Sequence, residues 1–210
     1  MSYPSVDAPY GLVPINSVDG KPYAGATRQL PIASTYNTAI YNGDIVALVD
    51  GGTIALSGVT NDSTGSAANY TYGVFVGVQY VNAQGQTVQA QYYPGNAAAS
   101  SAVAYVVDDP MAAFKVAVVA ANSVVQTVNQ SVVGINMAVQ QESPQGSTIN
   151  GNSYTGVLVP TNNLGNAATL PVRVVSVVPE TATGTNAFTE VVVKLNNPQI
   201  LRTTGIDYAA

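Results

Sequence analysis

The tightest acidic cluster in this 210-residue chain is Asp108-Asp109-Pro110. A hard cation such as Ca²⁺ needs several oxygen ligands, and this run brings two carboxylates with no third close by in sequence. A strand-ending turn, with Asp capping and Pro setting φ, is the favoured reading. Among the other acids, Asp44, Asp50, Asp62, Glu142, Glu180, Glu190 and Asp207 offer carboxylates that a glycoside hydrolase would need in a facing pair. Most stand in or beside turn sequences, and their spacing singles out no pair. Serine catalysis would need Lys21, Lys115 or Lys194 as its base, because the chain has no His. No Ser-x-x-Lys or nucleophile-elbow spacing supports it. Gly73-Val74-Phe75-Val76-Gly77 lacks the Lys and the spacing of a phosphate loop. Tyr and Asn side chains on β-loops could hold a carbohydrate by stacking and hydrogen bonding, although ordinary surface and interface roles are the commoner use.

Composition narrows the chemistry further. With no Cys there is no disulfide framework, thiolate metal site or thiol nucleophile. With no His, the commonest metal ligand and neutral-pH proton shuttle are both missing. No cofactor, metal or catalytic activity is expected. Six Lys and Arg in a chain of net charge −5 cannot build a phosphate-neutralising face, so nucleic acid is not an expected partner. No apolar run is long enough for a membrane-spanning helix. The opening Met1-Ser2-Tyr3-Pro4-Ser5-Val6-Asp7 has neither the basic nor the apolar region of a secretory leader.

Only 8% of residues are charged, against about 25% in an ordinary soluble domain. The surface must then be built largely from Asn, Gln, Ser, Thr, Ala and Tyr. Interface cores share this depletion in charge and enrichment in aromatics, and thirteen Tyr against three Phe fits that pattern. The composition therefore favours a protein covered by partners over an acidic extracellular protein with polar uncharged loops.

The elements that would position these residues divide into two regions. Residues 1–33 carry Pro4, Pro9, Pro14, Pro22 and Pro31, each of which fixes its own φ and pushes its predecessor towards extended geometry. They read as an extended arm, laid across its own body or a neighbouring subunit, whose Tyr3, Tyr10, Leu12, Val13, Ile15 and Tyr23 need a surface to pack on. Lys21 and Arg28 are the arm's candidates for contact with an acidic neighbour.

Residues 34–210 read as one β-rich domain of short apolar runs broken by turn clusters. Asn42-Gly43 has the chemistry of a tight hairpin turn between Ile40-Tyr41 and Ile45–Val49. Further strands are expected at Thr53–Leu56, Gly73–Val81, Val88–Tyr93, Ala102–Val107, Val132–Ile135, Val157–Val159, Val172–Val178 and Phe188–Leu195. The valine-dense stretch from Met111 to Gln141 is expected to be mostly strand, with a short helical turn near Met111–Phe114. The expected fold is all-β, an antiparallel β-barrel or β-sandwich preceded by the proline-rich arm.

Several stretches, taken in order, resemble tailed-phage capsid decoration (cement) proteins. They are Tyr10-Gly11-Leu12-Val13-Pro14, the Asp19-Gly20 turn ahead of Arg28-Gln29-Leu30-Pro31-Ile32, Tyr41-Asn42-Gly43-Asp44-Ile45-Val46 and Gly73–Gly77. Ala104-Tyr105-Val106-Val107-Asp108-Asp109-Pro110 with Phe114, Val133-Gly134-Ile135-Asn136 and Val191-Val192-Val193-Lys194-Leu195-Asn196-Asn197 continue the likeness. It spans nearly the whole chain through diffuse, structural motifs, and departs from the family at Pro198, where relatives carry His. The resemblance implies a non-enzymatic β-rich virion protein, a homotrimer made in the host cytoplasm and clamping major capsid protein subunits from the outer capsid surface. The alternative expectation is a glycan-binding adhesive β-module of a phage fibre or cell surface.

Overall fold

The computed structural model describes residues 9–58, 71–95, 99–120, 126–141, 145–159, 164–182, 189–196 and 198–203. Tyr3, Asp62, Glu142 and Asp207, the 61–69 loop and most of the connection around 180–186 lie outside them.

The chain is all-β. Its alternating and valine-dense runs form strands because β-branched side chains are stiff at χ1 and pack well on a pleated surface. The strands are β1 (Val13–Ser17), β2 (Arg28–Pro31), β3 (Ile40–Tyr41), β4 (Ile45–Val49), β5 (Thr53–Leu56), β6 (Gly73–Asn82) and β7 (Thr87–Ala90). They continue with β8 (Tyr92–Tyr93), β9 (Ala99–Val107), β10 (Ala112–Val119), β11 (Asn136–Gln140), β12 (Gly156–Leu158), β13 (Val172–Val177) and β14 (Glu190–Leu195).

Five of them close a barrel, in the order β10-β12-β11-β13-β14 and back to β10. All its pairs are antiparallel except β10 with β12. Period-two alternation sends Phe114, Val116, Val118, Val172, Val174, Val191 and Val193 into one dry core. A second sheet runs β2-β9-β6-β4-β5, with β7 on the far part of β6, and its end strands meet again at a bridge between Ile32 and Ile54. Its own core gathers Val46, Ile54, Phe75, Val78, Ala104 and Val106. The two cores share a seam, because Leu12, Ile45, Val74 and Val107 pack into the barrel cluster.

Described residues of the proline-rich region are laid across the chain's own body. Strand β1 pairs antiparallel with β10 of the barrel, and β2 pairs with β9 of the second sheet. Pro14 and Pro31 sit on strands at the ends of these ladders, where a missing N–H removes little pairing.

Four local expectations are corrected. Asn42-Gly43 does not close a hairpin: β3 pairs with β8 while β4 pairs with β5 and β6, so the dipeptide carries the chain from one pairing to another. Val132–Ile135 is not a strand. The Asn129 side chain accepts a 2.9 Å bond from the Ser131 amide and winds a 3-10 turn over Gln130–Val132, so the strand begins only at Asn136. Met111–Phe114 holds no helical turn, because Ala112–Phe114 is already β10, paired to β1 and, from Ala113, also to β14. Val88–Tyr93 is broken at Gln91, where Gly151 packs against the Gln91 side chain and backbone.

Candidate contact surface

The residues singled out on the N-terminal region separate into inward anchors and outward groups. Tyr10 faces inward. Its hydroxyl donates to Glu190 Oε1 at 2.5 Å, and Lys115 Nζ lies 3.3 Å from the same oxygen and 5.6 Å from the centre of the Tyr10 ring. Burial, reinforced by the Glu190 hydrogen bond and charge, pushes the Tyr10 hydroxyl far above its ordinary pKa. That direction favours the protonated, donating form of the phenol. Leu12 is fully buried at the seam, and the flanking backbone is held by bonds from Gly11 N to Thr155 O and from Leu12 N to Gly43 O, both 3.0 Å. Tyr10→Phe should remove about 1.5–3 kcal/mol, the worth of a hydrogen bond to a charged group. Urea unfolding followed by circular dichroism checks this; an unchanged midpoint would show that the phenol is not an anchor.

The outward groups follow directly along β1. Val13 and Ile15 are 39% and 38% exposed, and so is Val18 beyond them at 38%. Ser17 Oγ and Val18 N both donate to Met111 O, which brings the exposed Met111 alongside. Val13 and Ile15 lie on a strand at the end of its sheet, and Val18 with Met111 continues their line just beyond its C-terminal end. Val18 and Met111 escaped the sequence reading, since each stands in a turn and only the cross-chain bonds unite them. The Asp-Asp-Pro turn is the one local hint: Asp109 Oδ1 accepts from Met111 N at 2.8 Å and holds the methionine at the turn's exit.

The two cations singled out on this region are locally satisfied. Lys21 Nζ lies 2.7 Å from Asp19 Oδ2 on an exposed turn, and the Lys21 hydrogen bond lowers the Asp19 carboxyl to about 2. Arg28 Nε donates to Asp108 Oδ2, which also accepts from the Tyr72 hydroxyl at 3.2 Å. Arg28 thus ties β2 to the end of β9. Tyr23 is half-buried against the barrel core, and its hydroxyl donates to Ala26 O at 3.3 Å. Lys21 and Tyr23 share a shallow pocket of about 290 Å³ with Asp109 and Met111, next to the apolar line.

Many of the tyrosines face inward, contrary to a surface-directed reading of the composition. Tyr41, Tyr72 and Tyr93 are buried; Tyr41 stacks on Tyr92 at 5.5 Å and Tyr93 on Tyr36 at 6.4 Å. The Tyr93 hydroxyl donates to Tyr36 O at 2.9 Å, satisfying the polar tip within the core.

Among the described residues the most deeply buried carboxylate, Asp44, is structural in its surroundings. Asp44 Oδ1 accepts from Ser153 Oγ at 2.5 Å, Thr155 Oγ1 at 3.0 Å and Gln141 Nε2 at 3.4 Å, while Oδ2 accepts from Tyr41 N at 2.8 Å. It is wholly shielded from solvent, so no substrate reaches it. Among the described residues, no group of three or more acids is placed to hold a metal ion. No family model, curated protein or solved structure matches the chain.

Proposed function

We propose that the chain is a non-enzymatic structural protein of a tailed-phage virion: a homotrimeric decoration protein on the outer capsid surface that bridges major capsid protein subunits. The observation that carries this reading is the exposed apolar line of Val13, Ile15, Val18 and Met111 on a chain with only 8% charged residues. A β-strand at the end of its sheet, flanked by apolar side chains and little charge, suits a surface that another subunit covers. The closed barrel behind it is a rigid support, and many copies on one shell multiply modest contacts through avidity.

Light scattering of the purified protein, followed by co-sedimentation with phage capsids lacking it, tests the reading. The wild type should be a trimer and should sediment with the capsids. Ile15→Glu should keep the melting temperature and weaken capsid binding by about tenfold or more, the effect of burying an unpaired charge in an interface. A monomer with no affinity for the shell, or an Ile15→Glu protein that decorates at full occupancy, would overturn it.

A further inference from the structure

The outer face of the second sheet is divided. At one end Val74 and Val107 are covered by the barrel. The other end is open and forms a groove of about 330 Å³ whose lining includes Gln29, Gln79, Tyr80, Thr87, Ser101 and Tyr105. These come from four strands, β2, β6, β7 and β9, so the groove is set in the hydrogen-bonded sheet and not in a loop.

Its details are those of an organised site. Gly77 opposes Tyr105 across the β6–β9 ladder, and a Cβ there would lie 3.9 Å from the Tyr105 ring, in ordinary contact with it. The Tyr105 hydroxyl donates to Gln79 Oε1 at 3.3 Å, which sets the direction of the Gln79 amide. Ser101 has φ +49°, alone among the described non-glycine residues in the left-handed region. The β6–β9 register slips between Gln79 and Val81 beside it. A bulge with a strained residue re-aims side chains at the cost of local stability, and it is found most often where a surface has work to do.

The lining includes no Lys, Arg, Asp or Glu. Without a cation it offers a phosphate or sulfate no compensating charge, and its amides and hydroxyls would be left unpaired by an acyl chain. Carboxamides that donate and accept side by side match vicinal hydroxyls, and a phenol face matches the C–H face of a pyranose. The volume stands at the small end of ligand sites, enough for one or two sugar rings. We infer that this groove binds a neutral glycan. The inference is independent of the decoration reading, since the groove and the β1 line share no residue.

The probe is a panel of neutral oligosaccharides (maltohexaose, cellohexaose, mannohexaose and galactohexaose) beside sulfated and sialylated counterparts, followed by calorimetry on any neutral hexasaccharide bound. Saturable binding to at least one neutral oligomer is expected, unchanged between about 0.05 and 0.5 M salt because no charge takes part. Gln79→Ala and Tyr105→Ala should each weaken it about tenfold, and Tyr105→Phe, which keeps the ring, by less. Ser101→Gly should weaken binding in a protein at least as stable as the wild type. Ile15→Glu should leave it untouched. No binding to any neutral oligomer at millimolar concentration, binding only to the anionic members, or affinity indifferent to the Gln79 and Tyr105 changes would each overturn the inference.

Discussion

Gly43→Ala should destabilise the fold by roughly 2–5 kcal/mol, combining a left-handed backbone cost of about 1–2 kcal/mol with overpacking. Gly43 has φ +94°, and a Cβ on it would lie 2.7 Å from Gly11 Cα and 2.8 Å from Leu12 N. Both obstacles are backbone, so no rotamer change relieves them. The strand crossing there also carries hydrogen bonds from Leu12 N to Gly43 O at 3.0 Å and from Gly43 N to Phe75 O at 2.8 Å. Separating the two chains by the width of a methyl group breaks the first and tilts the second. Gly85→Ala is the control: its φ is +78°, but no atom lies within 4 Å of its Cβ position, so it bears the backbone cost alone. Parallel urea titrations of the two variants should place Gly43→Ala well below Gly85→Ala. Equal losses would mean that the Gly11–Gly43 contact yields without strain.

The same crossing shows where sequence reading reaches its limit. The dense β-branched runs in Val172–Val177 and Glu190–Leu195 are enough to place those strands, because strand propensity is a local property of the chain. The partner of a strand is not local. Val13 pairs with Lys115 and Arg28 with Val106, and nothing near either residue names the other. Asn42-Gly43 has the right composition for a positive φ, yet whether such a turn folds back or crosses to another sheet depends on strands about fifty residues away. The candidate contact residues fail in the same way. Tyr10, Leu12, Val13 and Ile15 look alike as apolar residues in a proline-rich stretch. Only register against β10 and the approach of Gly43 and Thr155 send the first two inward and leave the others exposed. Val18 and Met111 could be joined only by bonds that span 94 positions in the chain.

Asp44 is another case of invisible context, and it carries the second large effect. In sequence it is one acid among eleven; in the fold it receives donors from Ser153 and Thr155, 109 and 111 positions away. Asp44→Ala should lose about 3 kcal/mol, because the Tyr41 amide and the Thr155 hydroxyl remain buried without their acceptor while Ser153 Oγ keeps only Thr155 Oγ1, at 2.8 Å. Asp44→Asn should lose less than Asp44→Ala, because its amide oxygen can still accept from the Tyr41 amide and its N–H groups can donate to the Ser153 and Thr155 hydroxyls, which accept as well as donate. Burial raises the Asp44 carboxyl above its ordinary 3.8, and the donors only partly offset this. The sign for stability follows from that direction. Below 3.8 the group is protonated in both states and its contribution is complete; as pH rises through the folded-state value, the unfolded chain ionises first and part of the contribution is lost. The gap between wild type and Asp44→Ala should therefore be wider near pH 4 than at pH 7, while other acids such as Asp19 cancel in the comparison. Urea midpoints at the two pH values read this difference, and ¹³C titration of the Asp44 carboxyl should place its midpoint above 3.8. A gap that widens with rising pH would mean that the four hydrogen bonds outweigh desolvation at this site.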